Sequence, residues 1–139
     1  MKKKRIYDKI VRVEKREKGE ISVDRKMTEC YIYEQYGVKA EFPWKKYPEY
    51  MVFRHSNNRK WFAVIMNISK RKLGIESDEI ADIINIKCNS LMIGSLIMED
   101  GIFPAYHMNK SNWVSVLLDN SCNMENLKLM IDSSYILTK

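Results

Sequence analysis

YMVFRH (Tyr50–His55), SNNRK (Ser56–Lys60) and WFAVIMNI (Trp61–Ile68) form the stretch whose reading decides the fold. Two runs rich in aromatic and β-branched residues flank a short polar, Asn-rich connection, the pattern of a β-hairpin. Trp61–Met66 is apolar at both alternating positions. Such a strand is covered on both faces, or covered on one and used on the other.

Working outward, Ile80–Cys88 reads as a third strand, with Ile84, Ile86 and Cys88 on one face and Ile83, Asn85 and Lys87 on the other. Ile102–Met108 and Trp113–Leu118 predict a second hairpin around Asn109, Lys110, Ser111 and Asn112. Helices fill the gaps. Asp24 can cap one that runs to Tyr36 and stops at Gly37; Asn89 or Ser90 can cap Leu91–Met98; Asn123 can cap a last helix carrying Met124, Leu127, Ile131 and Tyr135. Pro43 and Pro48 bracket a segment that cannot be regular helix. The order α-β-β-β-α-β-β-α predicts an α+β fold with helices against one antiparallel sheet. Residues 1–23 form a charged extension with a hairpin and a helix ending at Gly19 equally open; residues 24–139 form the domain.

A chain of 139 residues with 45% hydrophobic and 30% charged residues suits one globular domain and excludes fibrous or low-complexity classes. Its apolar runs fall far short of the ~20 residues needed to span a bilayer, and the basic N-terminus lacks a signal peptide's apolar stretch. A cytoplasmic protein, a monomer or weak dimer with no membrane partner, is expected. Net charge is +6, distributed as +5 over residues 1–23, +6 over 24–72 and −5 over 73–139. An anion-binding face should therefore draw on the first half of the chain.

Cys30, Cys88 and Cys122 are odd in number and far apart, without a C-x-x-C pair, and His55 and His107 are the only histidines. That pattern predicts neither a zinc site nor a disulfide scaffold, and no metal or other cofactor is expected. Five glycines make no phosphate-cradling motif. Cys88 with His107 could form a dyad, but Cys88 lies on the apolar face of its strand and reads as core. A non-catalytic protein is expected.

The two turns carry the richer chemistry. Arg54, His55, Asn58, Arg59 and Lys60 lie at the first; His107, Asn109, Lys110, Asn112 and the following Trp113 lie at the second. Long cationic donors and amides suit phosphate oxygens and base edges, although polar residues also simply make good turns. Lys70, Arg71 and Lys72 could extend a positive strip if they lay beside the first hairpin.

Phe42-Pro43-Trp44-Lys45-Lys46-Tyr47-Pro48, Phe53-Arg54-His55 with Asn58-Arg59-Lys60-Trp61-Phe62, Asn85-x-Lys87-Cys88, Ile93-Gly94-Ser95-Leu96 and Gly101-Ile102-x-Pro104-Ala105-Tyr106-His107-Met108-Asn109-Lys110 together resemble the MmcQ/YjbR family of small bacterial proteins. Trp113-x-Ser115-Val116-Leu117-Leu118-Asp119 and Ile131-Asp132-x-Ser134-Tyr135 continue the likeness, which covers residues 24–139. The resemblance implies a CyaY-like, or frataxin-like, fold with a "double wing" of hairpins and DNA as partner. It carries over no catalytic residues.

The expectation is thus DNA binding through two hairpin wings. Arg54, Arg59, Lys60 and Lys110 would contact phosphates, with Lys70, Arg71 and Lys72 at the rim. Asn58, Asn109 and Asn112 would face base edges, and His55, His107 and Trp113 would shape the groove. The alternative is a protein- or small-ligand-binding module on the frataxin-like sheet, with Trp44, Trp61, His107 and Trp113 lining a pocket.

Overall fold

Asp24 starts the first helix by accepting a hydrogen bond from the Met27 amide, and Gly37 ends it in the left-handed region at φ 70°, where a Cβ would be strained. This helix, α1 (Arg25–Tyr36), belongs to a computed structural model that describes residues 22–139. The open alternatives for the N-terminal extension lie outside the described residues. Its last two residues, Ser22 and Val23, are buried, and the Val23 amide donates to Asn120 Oδ1 at 2.6 Å.

Five strands follow: β1 (Met51–Arg54), β2 (Trp61–Ser69), β3 (Ile80–Lys87), β4 (Ile102–Pro104) and β5 (Trp113–Leu117). They form one antiparallel sheet in the order β1-β2-β3-β5-β4. Between β3 and β4 a 3₁₀ turn capped by Asn89 leads into the short helix α2 (Ile93–Leu96), and α3 (Met124–Thr138), capped by Asn123, closes the chain. The α+β architecture and element order are those expected, with helices on one face of the sheet. Two elements are shorter than predicted. The helix expected over Leu91–Met98 is α-helical only over Ile93–Leu96, after the 3₁₀ turn Ser90–Met92, and the strand expected over Ile102–Met108 stops at Pro104. Proline has no amide to continue the ladder, and beyond it the Tyr106 backbone is held by side chains of other strands.

Both faces of the sheet are buried, as Trp61–Met66 allowed. Met51, Phe53, Ala63, Ile65, Ile84, Ile86, Val114 and Val116 meet α1 and α3. Val52, Val64, Met66, Ile68, Ile83 and Leu117 face the other way, under Trp44, Tyr50, Leu73, Ile75 and Tyr106. The loop segments from Pro43 to Tyr50 and around Leu73 thus do for the second face what helices do for the first. On α3 the buried residues Met124, Leu127, Ile131, Ser134 and Thr138 fall three or four apart, a stripe that lies along the sheet.

One irregularity positions the rest. Phe53 pairs with Ala63 and Arg54 with Trp61, so Phe62 is an extra residue, a β-bulge. The bulge turns Phe62 toward the helices, where it meets Tyr36, His55 and Tyr135 at ring-centroid distances of 5.7, 5.2 and 5.0 Å. A bulge also removes backbone groups from the ladder, and buried groups need partners. The fully buried Ser134 of α3 supplies one: its hydroxyl donates to Phe62 O at 2.6 Å and accepts from the Lys87 amide at 3.1 Å.

On the opposite face, Asn85 is completely buried. Its Nδ2 donates to Tyr106 O at 3.0 Å, its Oδ1 accepts from the Ser115 hydroxyl, and Ser115 Oγ accepts from the Tyr106 amide at 2.9 Å. This closed network ties the second hairpin loop to the central strand.

Ser134→Ala changes volume little but strands two buried backbone groups. It should lower unfolding stability by about 2–3 kcal/mol, read by urea denaturation. A loss below about 0.5 kcal/mol would show that the bridge contributes little.

Candidate functional site

The strand registers place both wing turns at one end of the sheet. Ala63 pairs with Ile86 and Lys87 with Trp113, so the start of β2, the end of β3 and the start of β5 lie together. The turns at residues 55–60 and 105–112 therefore project side by side. Their centres are three strand spacings apart, about 14 Å.

In the first wing, Arg54 is committed to Glu41: Nε lies 3.1 and 3.2 Å from the two carboxylate oxygens, and a terminal nitrogen lies 3.0 Å from Oε1. Arg59 touches the same oxygen at 3.4 Å and is largely exposed, with its backbone in the left-handed region at φ 62°. Lys60 is exposed and has no ion-pair partner among the described residues. Asn58 holds the turn: Oδ1 accepts from the Lys60 amide at 2.9 Å, and Nδ2 donates to Thr138 O at 3.0 Å, satisfying a carbonyl that the end of α3 leaves open. Its amide is thereby used within the fold.

His55 departs from the expectation of a groove-shaping residue. It is 4% exposed, packed against Phe62 and, at 4.3 Å, Tyr135, with Nε2 2.8 Å from Thr138 Oγ1. Thr138 Oγ1 donates to Ser134 O at 2.8 Å, so it accepts from a protonated Nε2. Burial pushes the His55 pKa down; a hydrogen bond to the Tyr135 backbone opposes this, and Lys139 and Lys60 add to it. His55 is a neutral core residue that fastens the wing to α3.

In the second wing, His107 is exposed, with its ring 4.0 Å from Tyr106 and its backbone at φ 57°. Asn109 and Lys110 are exposed at the tip; Asn109 Oδ1 accepts from the Ser111 amide at 2.9 Å. Asn112 is half-buried, its carbonyl accepting from the Cys88 amide at 2.9 Å while its Oδ1 is buried with no partner among the described residues. Trp113 is 8% exposed. As with His55, burial removes it from any outer surface. Of the residues named in the alternative reading, Trp44 packs edge-on against Trp61 and Tyr50, Trp113 is buried and His107 is exposed.

Lys70, Arg71 and Lys72 are a second correction. Ser69 pairs with Ile80, so their turn lies at the far end of β2, about 26 Å of strand away from the first wing. Lys70 lies 2.5 Å from Glu79 and Arg71 2.7 Å from Asp78. They cannot rim the wings.

What the topology gathers instead is a charge gradient along the strands. At the wing end are Lys39, Arg54, Arg59, Lys60, Lys87, Lys110 and Lys139, with Glu41 among them. At the other end, the connections carry Glu76, Asp78, Glu79, Glu99, Asp100 and Asp119 around the Lys70–Lys72 turn. Lys39, Lys87 and Lys139 were missed from sequence, since each stands alone in the chain and only the fold brings it to this end. Beside the first wing, Lys39, Glu41, Arg54, Arg59, Tyr33 and Lys139 border a cleft of about 630 Å³ between the C-terminal ends of α1 and α3.

Burial raises the thiol pKa of Cys88, Cys122 and half-buried Cys30, leaving them protonated and weakly nucleophilic. Among the described residues no cluster of three His, Cys, Asp or Glu could hold a metal ion, and no helix is long and apolar enough to cross a membrane.

Comparison with known proteins follows the same outline. The YjbR family model matches residues 33–137. An uncharacterised Bacillus subtilis protein, YyaQ, is 37% identical over 109 residues, covering 78% of this chain and 92% of its own. A Pseudomonas syringae protein solved by crystallography superposes with a TM-score of 0.82 at 40% identity, over 84% of this chain and 99% of that one. Its solution structure gives a TM-score of 0.77, with 84% and 93% covered. Deinococcus radiodurans DR2400, 23% identical, shares the fold with a TM-score of 0.60 over 81% of this chain and 75% of its own.

The placement of His55 has a pH signature. Its folded pKa lies below the ordinary 6.5, so as pH falls below that value the unfolded chain takes up the proton first. The His55 contribution to stability is complete above pH 6.5 and is lost progressively as pH falls toward the lower folded pKa. Melting temperature should decline between pH 7 and pH 5, and His55→Gln, which keeps a donor for Thr138, should decline less. Equal slopes for both proteins would contradict a buried neutral ring.

Proposed function

The chain belongs to the YjbR family, and from that premise and the geometry of its wing end we propose that it binds DNA, without catalysis, through the two hairpin tips. The observation that carries this reading is the concentration of exposed cations at the one end where both turns project. Phosphates are the ligand that such a surface attracts, and releasing their counterions drives association. Tips about 14 Å apart suit a major groove about 12 Å wide. Arg59, Lys60 and Lys110 are the phosphate contacts of this proposal, and Asn109, exposed at a tip, is the residue for a base edge. Arg54 acts indirectly, by holding Glu41. A cytoplasmic location is part of the same reading.

Two cationic contacts have a countable effect. Lys60→Ala with Lys110→Ala should weaken duplex binding in a salt titration and make the slope of log affinity against log salt shallower by about 1.8. The double variant should fold as stably as the parent, because both side chains are exposed. An unchanged slope, or equal binding of duplex DNA, single strands and RNA, would overturn the proposal.

A further inference from the structure

Apart from Arg59, the cleft beside the first wing has chemistry that the hairpin tips do not use. Its lining carries the cationic side chains of Lys39, Arg54, Arg59 and the last residue, Lys139, against one carboxylate side chain, Glu41. The ends of α1 and α3 that border it are helix C-termini, whose partial negative charge Lys39 and Lys139 offset. An excess of positive charge therefore remains within one concave site.

Within it the two arginines are unequal. Arg54 grips Glu41 through three contacts of 3.0–3.2 Å. Arg59 makes a single 3.4 Å contact to Oε1, from a side chain 59% exposed. Glu41 is thus saturated by Arg54, while the planar fork of Arg59 lacks the paired acceptors that it binds best. The Arg59 backbone is held at φ 62°, a conformation that side chains rarely adopt; such strain is tolerated where surrounding structure imposes it, and it gathers at ligand sites. In the same turn the Ser56 and Asn57 amides donate to no protein acceptor among the described residues, and both residues line the cleft.

We propose that this cleft binds a phosphate monoester, with Arg59 as its principal ligand, Lys39 and Lys139 as supporting charges, and Glu41 as the internal competitor it displaces. The monoester follows from the competition. A terminal phosphate carries between one and two negative charges at neutral pH and three acceptor oxygens, whereas Glu41 offers one charge and is already shared. A bridging phosphodiester carries only one charge and gains no such advantage over the carboxylate. The phosphate can come from a free mononucleotide or from the phosphorylated end of a nucleic-acid strand; the cleft chemistry is the same. Arg59 is common to both proposals; the rest of the duplex contact is separate, since Lys60 and Lys110 do not line the cleft.

The full chain is titrated calorimetrically at low salt with adenosine 5′-monophosphate, with adenosine, and with one single-stranded oligonucleotide bearing either a 5′-phosphate or a 5′-hydroxyl. The monophosphate should bind and adenosine should not. Arg59→Ala should weaken the monophosphate about tenfold or more, Glu41→Gln should strengthen it severalfold, and Lys60→Ala with Lys110→Ala should leave it unchanged. Tighter binding of the 5′-phosphorylated oligonucleotide assigns the source to strand ends; equal binding of the two oligonucleotides assigns it to free mononucleotides. Equal affinity for monophosphate and adenosine overturns the site. So does a Glu41→Gln variant, shown folded by its thermal melt, that binds no better than the parent. Weakening of the monophosphate by the Lys60/Lys110 pair as large as that by Arg59→Ala also overturns it, since diffuse surface charge would then suffice. Loss of duplex binding alone in the Lys60/Lys110 pair leaves this site standing, so the two proposals fail separately.

Discussion

The hydroxyl of Ser134 joins the three elements on which the wing end is built. It donates to Phe62 O and accepts from the Lys87 amide, so the final helix is bolted to β2 and β3 where their regular pairing ends. Without a bulge at Phe62 the ladder would run on and the hydroxyl would have nothing to bridge. Without the hydroxyl, the bulge would leave a buried carbonyl unpaired. The irregular strand and the polar Ser134 on the buried helix stripe are one feature.

The two wings are then held by different means. The first is fastened to α3, through His55 to the Thr138 hydroxyl and through Asn58 to the Thr138 carbonyl. The second is fastened to the sheet, through the buried Asn85–Ser115–Tyr106 network on the opposite face. Each anchor is a polar group whose hydrogen bonds can be satisfied in only one arrangement, which gives a loop a defined position where apolar packing alone would leave it several. Residues that read as contact groups, His55 and Asn58 above all, are thus committed inside the protein, while Lys60 and Lys110 stay exposed.

Net charge proves a poor guide to this surface. The described domain is nearly balanced in sign; what matters is that antiparallel topology sorts the charges by strand end. Turns that connect β1 to β2 and β4 to β5 lie at one end and the β2–β3 connection at the other. The Lys70–Lys72 run, the densest basic stretch after residue 23, is thereby placed among carboxylates, and scattered residues such as Lys39 and Lys139 become neighbours of Arg59.

Local signals sufficed for much of the fold. Asp24 and Gly37 bound α1, Asn123 starts α3, and the alternation in Ile80–Cys88 assigns each residue to its face, because caps and strand period depend on near neighbours. The sequence also determined that both hairpins carry polar cationic turns. It could not determine the bulge at Phe62, since an inserted residue is recognisable only against its partner strand, nor the burial of His55 and Trp113. The end of the sheet that each turn occupies, and the cleft where Arg59 shares Glu41 with Arg54, were likewise decided by strand order and register. Those are contacts between residues distant in the chain, and no window along it contains them.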